Sequence, residues 1–165
     1  MTETNRWQAA CERALADENT IDYDRFGHAD AWTLGSRIVE TAAAQGHSIA
    51  VAIVFGEQRV FHAALAGSAA TNDDWLARKF RTVARHNCSS WAMTCRVRAN
   101  GGDYFAESGY ATGDFALAGG AVPLRVRGSL IGAVGVSGLA EEDDHRVVID
   151  AMRAHLITCG GSGAR

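Results

Sequence analysis

Apolar positions follow a helical period near both ends of the chain and at its centre, and a strand-like period in two blocks between. In residues 3–19, Trp7, Ala10, Cys11 and Ala14 form a modest apolar stripe, which predicts a first helix ended by Asn19 and Thr20. The link IDYDRFGHAD follows, and its Ile21, Tyr23 and Phe26 are expected to tuck against the body. Asp30 is placed as the N-cap of a second helix, about 31–45, that buries Leu34, Ile38, Val39 and Ala42 and stops at Gly46. SIAVAIVF, residues 48–55, is apolar on both alternations, as a central strand covered on both faces should be. Gly56-Glu57 turns tightly into QRVFHAAL, residues 58–65, to make a hairpin with Phe61 and Leu65 facing one way and Val60, His62 and Ala64 the other.

The stretch Gly67 to Ser90, GSAATNDDWLARKFRTVARHNCSS, begins as a loop and becomes a helix. Leu76, Phe80 and Val83 share an apolar face, while Trp75, Arg78, Lys79 and Thr82 share another. A Trp beside two cations, next to Ser68, Thr71, Asn72 and Asp73, reads as a binding site or a subunit contact. From the residues alone the plainer reading is an ordinary amphipathic helix with Asn72 or Asp73 as N-cap.

SSWAMTCRVRANGG predicts a second helix to about residue 98, broken by Asn100, Gly101 and Gly102. Tyr104 to Ala106 is assigned as a short strand, with a helical turn around Phe115 to Ala118. VPLRVRG and LIGAVGVSG form a second hairpin, in which Pro123 belongs at a strand start or an edge. Gly132 and Gly135 mark places where something approaches the backbone closely. The last helix starts after Leu139 with Glu141, Glu142, Asp143 and Asp144 in its first turn, where the helix dipole favours negative charge, and buries Val147, Val148, Ala151, Met152 and Leu156. Hairpins and helices without a βαβ rhythm predict α+β architecture with an antiparallel sheet of about five strands and helices on its faces. The chain is read as a single domain, 1–165, made of an N-terminal helix (1–20), a core (21–157) and a disordered tail (158–165).

Of the 165 residues, 47% are hydrophobic and 21% charged, the balance of a globular protein. A net charge of −3 gives no electrostatic reason to expect nucleic acid or an anionic membrane as partner. Lys79 is the single lysine among many arginines, which sets it apart. No apolar run approaches the roughly 20 residues of a spanning helix, and the N-terminus lacks the order of a signal peptide, so a cytoplasmic protein with reduced thiols is expected. Cys11, Cys88, Cys95 and Cys159 form no CxxC and no zinc pattern, and no metal site is expected from spacing. Cys88 is read as a buried structural cysteine, with a reactive thiol as the alternative. His62 stands alone on its strand, and His145 and His155 are ten residues apart. There is no P-loop, HExxH, GxSxG or GxGxxG after a strand.

GSAATNDDWLARK fits the pattern G-x-x-x-x-N-D-x-W-x-x-R-K, and Ser89-Ser90, GGAVPL, IGAVGVSGL and EEDDH follow in order. This combination resembles the haem-degrading-domain family, the GlcG/HbpS-like group, and within it the small branch typified by a yeast protein linked to the tail-anchored-protein pathway. The resemblance runs from about Glu18 to Leu156. It implies a profilin-like sandwich, a homo-oligomer, and a pocket beside the GG-x-x-P turn bordered by the loop before the central helix. It carries the ligand-binding role to Asn72, Asp73, Trp75, Arg78, Lys79, Ser89, Ser90, Gly119, Gly120 and Pro123, and points also to Ser137 and Gly138. It carries a catalytic role to Lys79, Asp144 and His145. Relatives are associated with haem binding and breakdown and with cobalamin-related enzymes, so fold alone does not fix the function. Arg78 and Lys79 suit a carboxylate or propionate, and Gly119-Gly120 would offer backbone N–H groups. One departure weakens haem as the cofactor: close relatives usually carry His before the two glycines, where this chain has Ala118.

Three functions follow as expectations. The first is binding of a small anionic ligand, haem or a related cofactor, in a pocket between Asn72–Lys79 and Gly119–Pro123. The second is a non-catalytic homo-oligomeric scaffold that docks partner proteins. The third is a metal-free acid–base enzyme, an isomerase or cyclase, of a biosynthetic pathway.

Overall fold

The computed structural model describes residues 2–160. Its elements run α1 (Glu3–Asn19), α2 (His28–Ala44), β1 (Ala50–Phe55), β2 (Gln58–Ala64), α3 (Ala70–His86), α4 (Ser90–Asn100), α5 (Tyr104–Ser108), β3 (Ala121–Val126), β4 (Ser129–Ser137) and α6 (Glu141–Gly160). The two hairpins join through β1 and β4 into one antiparallel sheet of order β2-β1-β4-β3.

The architecture is therefore α+β with an open four-stranded sheet, not the five-stranded profilin-like sandwich expected. The strand in excess was Tyr104–Ala106. It is the helix α5, because Asp103 caps it by accepting from the Phe105 and Ala106 N–H groups, and Gly109 closes it in the left-handed conformation. The turn expected at Phe115–Ala118 lies slightly earlier, over 112–114. Residues 158–160 of the expected disordered tail continue α6, and the remainder of that tail, 161–165, lies outside the described residues.

The alternation of β1 sets the layers. Val51 and Ile53 join Val122, Leu124, Val134 and Val136 against Leu34 and Ile38 of α2 and Val148 and Met152 of α6. On the opposite face Ala50, Ala52, Ala121 and Ala133 meet Leu76, Phe80 and Val83 of α3. Small residues on this face let α3 lie close to the sheet. At Gly135 a Cβ would fall 2.7 Å from the Phe80 ring and 2.9 Å from Leu76. At Gly132 it would fall 1.8 Å from the Val54 carbonyl oxygen of the neighbouring strand. What approaches these glycines is the protein's own α3 and β1. We expect Gly135→Ala to destabilise the fold by about 1–3 kcal/mol through overpacking, read as a lower urea midpoint at unchanged m. Unchanged stability would mean that α3 has slack over β4.

A third apolar cluster joins α1 to α4 and α5 through Ala10, Ala14, Trp91 and Tyr104, with Trp7 meeting Trp91 edge to face at 6.1 Å. Pro123 sits in β3, at the sheet edge, where its missing N–H is tolerated. Tyr23 adds a single parallel bridge to Val126 beside that edge.

Two helix starts lie upstream of their expected positions. Asp30 is the third residue of α2 and accepts from the Gly27 N–H at 2.8 Å. Asn72 likewise is the third residue of α3 and accepts from the Ala69 N–H at 2.9 Å. Each side chain satisfies an orphan donor from inside the first turn instead of from the cap itself.

Candidate functional site

α3 ends at His86 because Asn87 turns left-handed (φ 51°), and Ser89 restarts the chain as the N-cap of α4. This leaves the first three turns of α3 running past the C-terminal end of β4 and the turn into α6. A cleft of about 310 Å³ opens there, lined by Asn72, Trp75, Lys79, Ala118, Ser137, Gly138, Leu139, Glu141 and Asp144.

Its floor is an ion pair. Lys79 Nζ donates to Asp144 Oδ2 and to the Val136 carbonyl, both at 3.0 Å, and both side chains are 3% exposed. Asp144 also accepts from the Leu139 N–H (2.9 Å) and the Gly138 N–H (3.3 Å), so the carboxylate closes the turn that launches α6. Burial drives the Lys79 ammonium pKa down and the Asp144 carboxyl pKa up, while their mutual contact opposes both shifts. Gly120, at φ 126°, presses directly on this pair: a Cβ there would lie 2.6 Å from Lys79 Nζ and 2.4 Å from the Val136 carbonyl oxygen. At Gly119 a Cβ would overlap the Glu141 carbonyl. Gly120 thus serves the close approach of the chain to the ion pair, and Gly119 its approach to the start of α6.

The walls are more exposed. Trp75 is 38% exposed, and the Arg78 guanidinium stacks over its ring at 4.0 Å while donating to Asp74 at 2.8–3.0 Å. Asn72 Nδ2 donates to Ser137 Oγ at 3.4 Å, and the Ser137 hydroxyl hydrogen has no acceptor among the described residues.

The structure brings Asn72, Trp75, Lys79, Ser137, Gly138 and Asp144 together, with Gly119 and Gly120 behind them. Arg78 flanks the opening through Trp75. The remaining candidates lie elsewhere. Asp73 faces β2, 2.6 Å from His62 Nε2 and 3.6 Å from Arg59, and ties α3 to that strand. Ser89 caps α4, and Ser90 Oγ accepts from the Ala121 N–H at 3.1 Å. Pro123 pairs with Ala133 further along β3. His145 is 6% exposed, but it points away from Asp144, into a pocket beside Ala10, Ala14 and Trp91. Neighbours on a helix are about 100° apart, so adjacency in sequence puts Asp144 and His145 on different faces.

Sequence reasoning missed Leu139 and Glu141 in the lining, and, apart from the cleft, the burial of Glu18. Glu18 is 1% exposed, accepts from the Ser89 N–H at 2.8 Å and lies 3.8 Å from Arg125, and burial raises its carboxyl pKa. A glutamate on a polar helix carries no local signal of burial.

A family model described as "Haem degrading protein HbpS-like" matches residues 26–153. A UPF0303 protein of Streptomyces coelicolor is 41% identical over 84% of this chain and 89% of its own length. A UPF0303 protein of Burkholderia ambifaria is 39% identical over 86% of each chain. Among solved structures, the Ybr137w protein is similar with a TM-score of 0.82 at 26% identity, covering 90% of this chain and 88% of that one. PduOC, solved as a haem complex, shares the fold at a TM-score of 0.67 and 21% identity, over 78% of this chain and 94% of that one.

Proposed function

The chain belongs to the HbpS-like haem-degrading protein family, and from that membership we propose that it binds a small anionic ligand, of the haem-related class, in the cleft between α3 and the Ser137–Glu141 turn. The observation that carries the reading is Trp75: a half-exposed indole backed by a stacked guanidinium, above a buried cation and beside the free Ser137 hydroxyl. A flat apolar ring would stack on the indole, and a carboxylate would meet Arg78 and Ser137.

Haem iron itself is poorly served. None of the described lining side chains is His, Cys, Met or Tyr, the side chains that hold haem iron in proteins. The Lys79 amine is committed to Asp144 and Val136. Ala118, at the position where the resemblance leads one to expect His, lines the cleft. The residues present fit the ring and its carboxylates and do not fit the metal.

The test compares haemin with metal-free protoporphyrin, followed by tryptophan quenching and absorption. Wild type is expected to bind the two alike, within about threefold, and Trp75→Ala to weaken both by about tenfold, the loss of a stacking contact of roughly 1–1.5 kcal/mol. Ala118→His should add a ligand to iron and shift the haemin absorption band, leaving protoporphyrin unchanged. Failure of wild type to bind either ring, or indifference to Trp75→Ala, would overturn the reading.

The Lys79–Asp144 pair favours a second reading. A buried amine and carboxyl whose pKa values are drawn toward each other suit metal-free proton transfer on a ligand in this cleft. Turnover of a bound ligand that survives Asp144→Asn would exclude it.

A further inference from the structure

At the opposite end of α6 from the cleft, the first turn of α2 meets the last turns of α6. There Asp30, His155 and Cys159 each direct a ligand atom to one spot, all within 4.8 Å of one another. We infer that these three side chains form a divalent transition-metal site, of the zinc class, that clamps α2 to α6.

His155 and Cys159 are one helical turn apart, i and i+4, so they share a face. Their Sγ···N distances are 3.6 Å to Nε2 and 3.7 Å to Nδ1. Two ligands on one tetrahedral zinc, with Zn–S and Zn–N near 2.3 and 2.0 Å, stand about 3.6 Å apart. The hydrogen bonds around the imidazole set its tautomer. The Tyr23 hydroxyl donates to the Met152 carbonyl at 3.2 Å, so its oxygen accepts the Nδ1–H of His155, 3.3 Å away. The lone pair is thereby left on Nε2, the nitrogen nearer the sulfur, and Tyr23 plays the outer-shell part that metal-bound histidines require.

Asp30 is similarly held. Its Oδ2 accepts from the Gly27 N–H, which leaves Oδ1 for a metal. His155 is 2% exposed, while the exposed Cys159 opens the spot to solvent. Binding would release the thiol proton of Cys159 to water and leave a fourth position for a water molecule. Thiolate, imidazole and carboxylate together select zinc over magnesium or calcium, which prefer oxygen-only shells. The arrangement is independent of the ligand cleft. It escaped the sequence because Asp30 is 125 residues from His155, and a single H-x-x-x-C matches no zinc pattern.

The experiment uses the tag-free, metal-stripped full chain, titrated with zinc against a chromophoric chelator and with cobalt(II) by absorption. One zinc per chain is expected, together with a thiolate-to-cobalt charge-transfer band and a melting temperature that rises to saturation with zinc. Cys159→Ser should abolish the charge-transfer band. Cys159→Ser and Asp30→Asn should each weaken zinc by at least about tenfold; Asn keeps an acceptor for Gly27, so α2 stays capped. Absence of stoichiometric binding, a cobalt spectrum without the thiolate band, or wild-type affinity in either variant would overturn the assignment.

Discussion

Lys79→Met should cost about 3–5 kcal/mol of folding stability, the range for removing one member of a buried ion pair. Asp144 would remain 3% exposed, with the Gly138 and Leu139 N–H groups as its remaining described donors, and the Val136 carbonyl would lose the Lys79 donor. Natural domains hold only about 5–15 kcal/mol in total, so the single variant should be close to failing to fold. Asp144→Asn in the same background should recover much of the loss. It removes the stranded charge and keeps an oxygen for Leu139. Urea denaturation of the two single variants and the double variant closes the cycle, and a coupling of about 2 kcal/mol or more is expected for groups in direct contact. Additive losses would mean that Lys79 and Asp144 act separately, and would remove the floor on which the cleft reading rests.

Acidification from pH 6.5 to 4 should remove about 3 kcal/mol of stability through one imidazole. His145 is 6% exposed, neither ring nitrogen has a hydrogen-bond partner among the described residues, and burial holds its pKa down to about 4 from an ordinary 6.5. Asp17 pulls the value up and Arg146 and Arg153 push it down, but desolvation outweighs them. Because the folded pKa lies below the unfolded one, the unfolded chain binds the proton first. The contribution is complete above pH 6.5 and is lost as pH falls toward 4, at about 1.4 kcal/mol per pKa unit. His86 and His155, also lowered by burial, act in the same direction, whereas Glu18 and Asp144, raised by burial, act in the opposite one. The difference between wild type and His145→Leu therefore isolates the imidazole. His145→Leu should flatten the stability profile between pH 6.5 and 4 relative to wild type. Parallel profiles would show that His145 is protonated in the fold or reached by water.

The placement of His145 also shows where sequence reasoning met its limit. The motif EEDDH sets Asp144 and His145 side by side, and a catalytic pair is the natural reading. In the fold, Asp144 turns inward to Lys79, 65 residues away, while His145 turns toward α1. The helical rotation between neighbours was available from the sequence, but which face would meet α3 was not. Lys79 shows the converse. The helical spacing placed it off the Leu76–Phe80–Val83 stripe, on a face read as a binding site or a subunit contact, and it is 3% exposed because Gly120 and the α6 turn close over that second face.

Both hairpins, the both-faces burial of β1, the edge position of Pro123 and the extent of α1 were legible in the chain, because each depends on side chains within a few residues of one another. So was the membership of Asn72, Trp75, Lys79 and Asp144 in one ordered motif. The short region around Tyr104, expected as strand, is helix because Asp103 caps it. The tertiary structure alone decided the order β2-β1-β4-β3, the union of Lys79 with Asp144, the burial of Glu18 and His145, and the meeting of Asp30 with His155 and Cys159. Those outcomes depend on which faces of separate elements pack together. Local periodicity records that a face is apolar; the desolvation and pairing of charged groups are set by the partner that covers it.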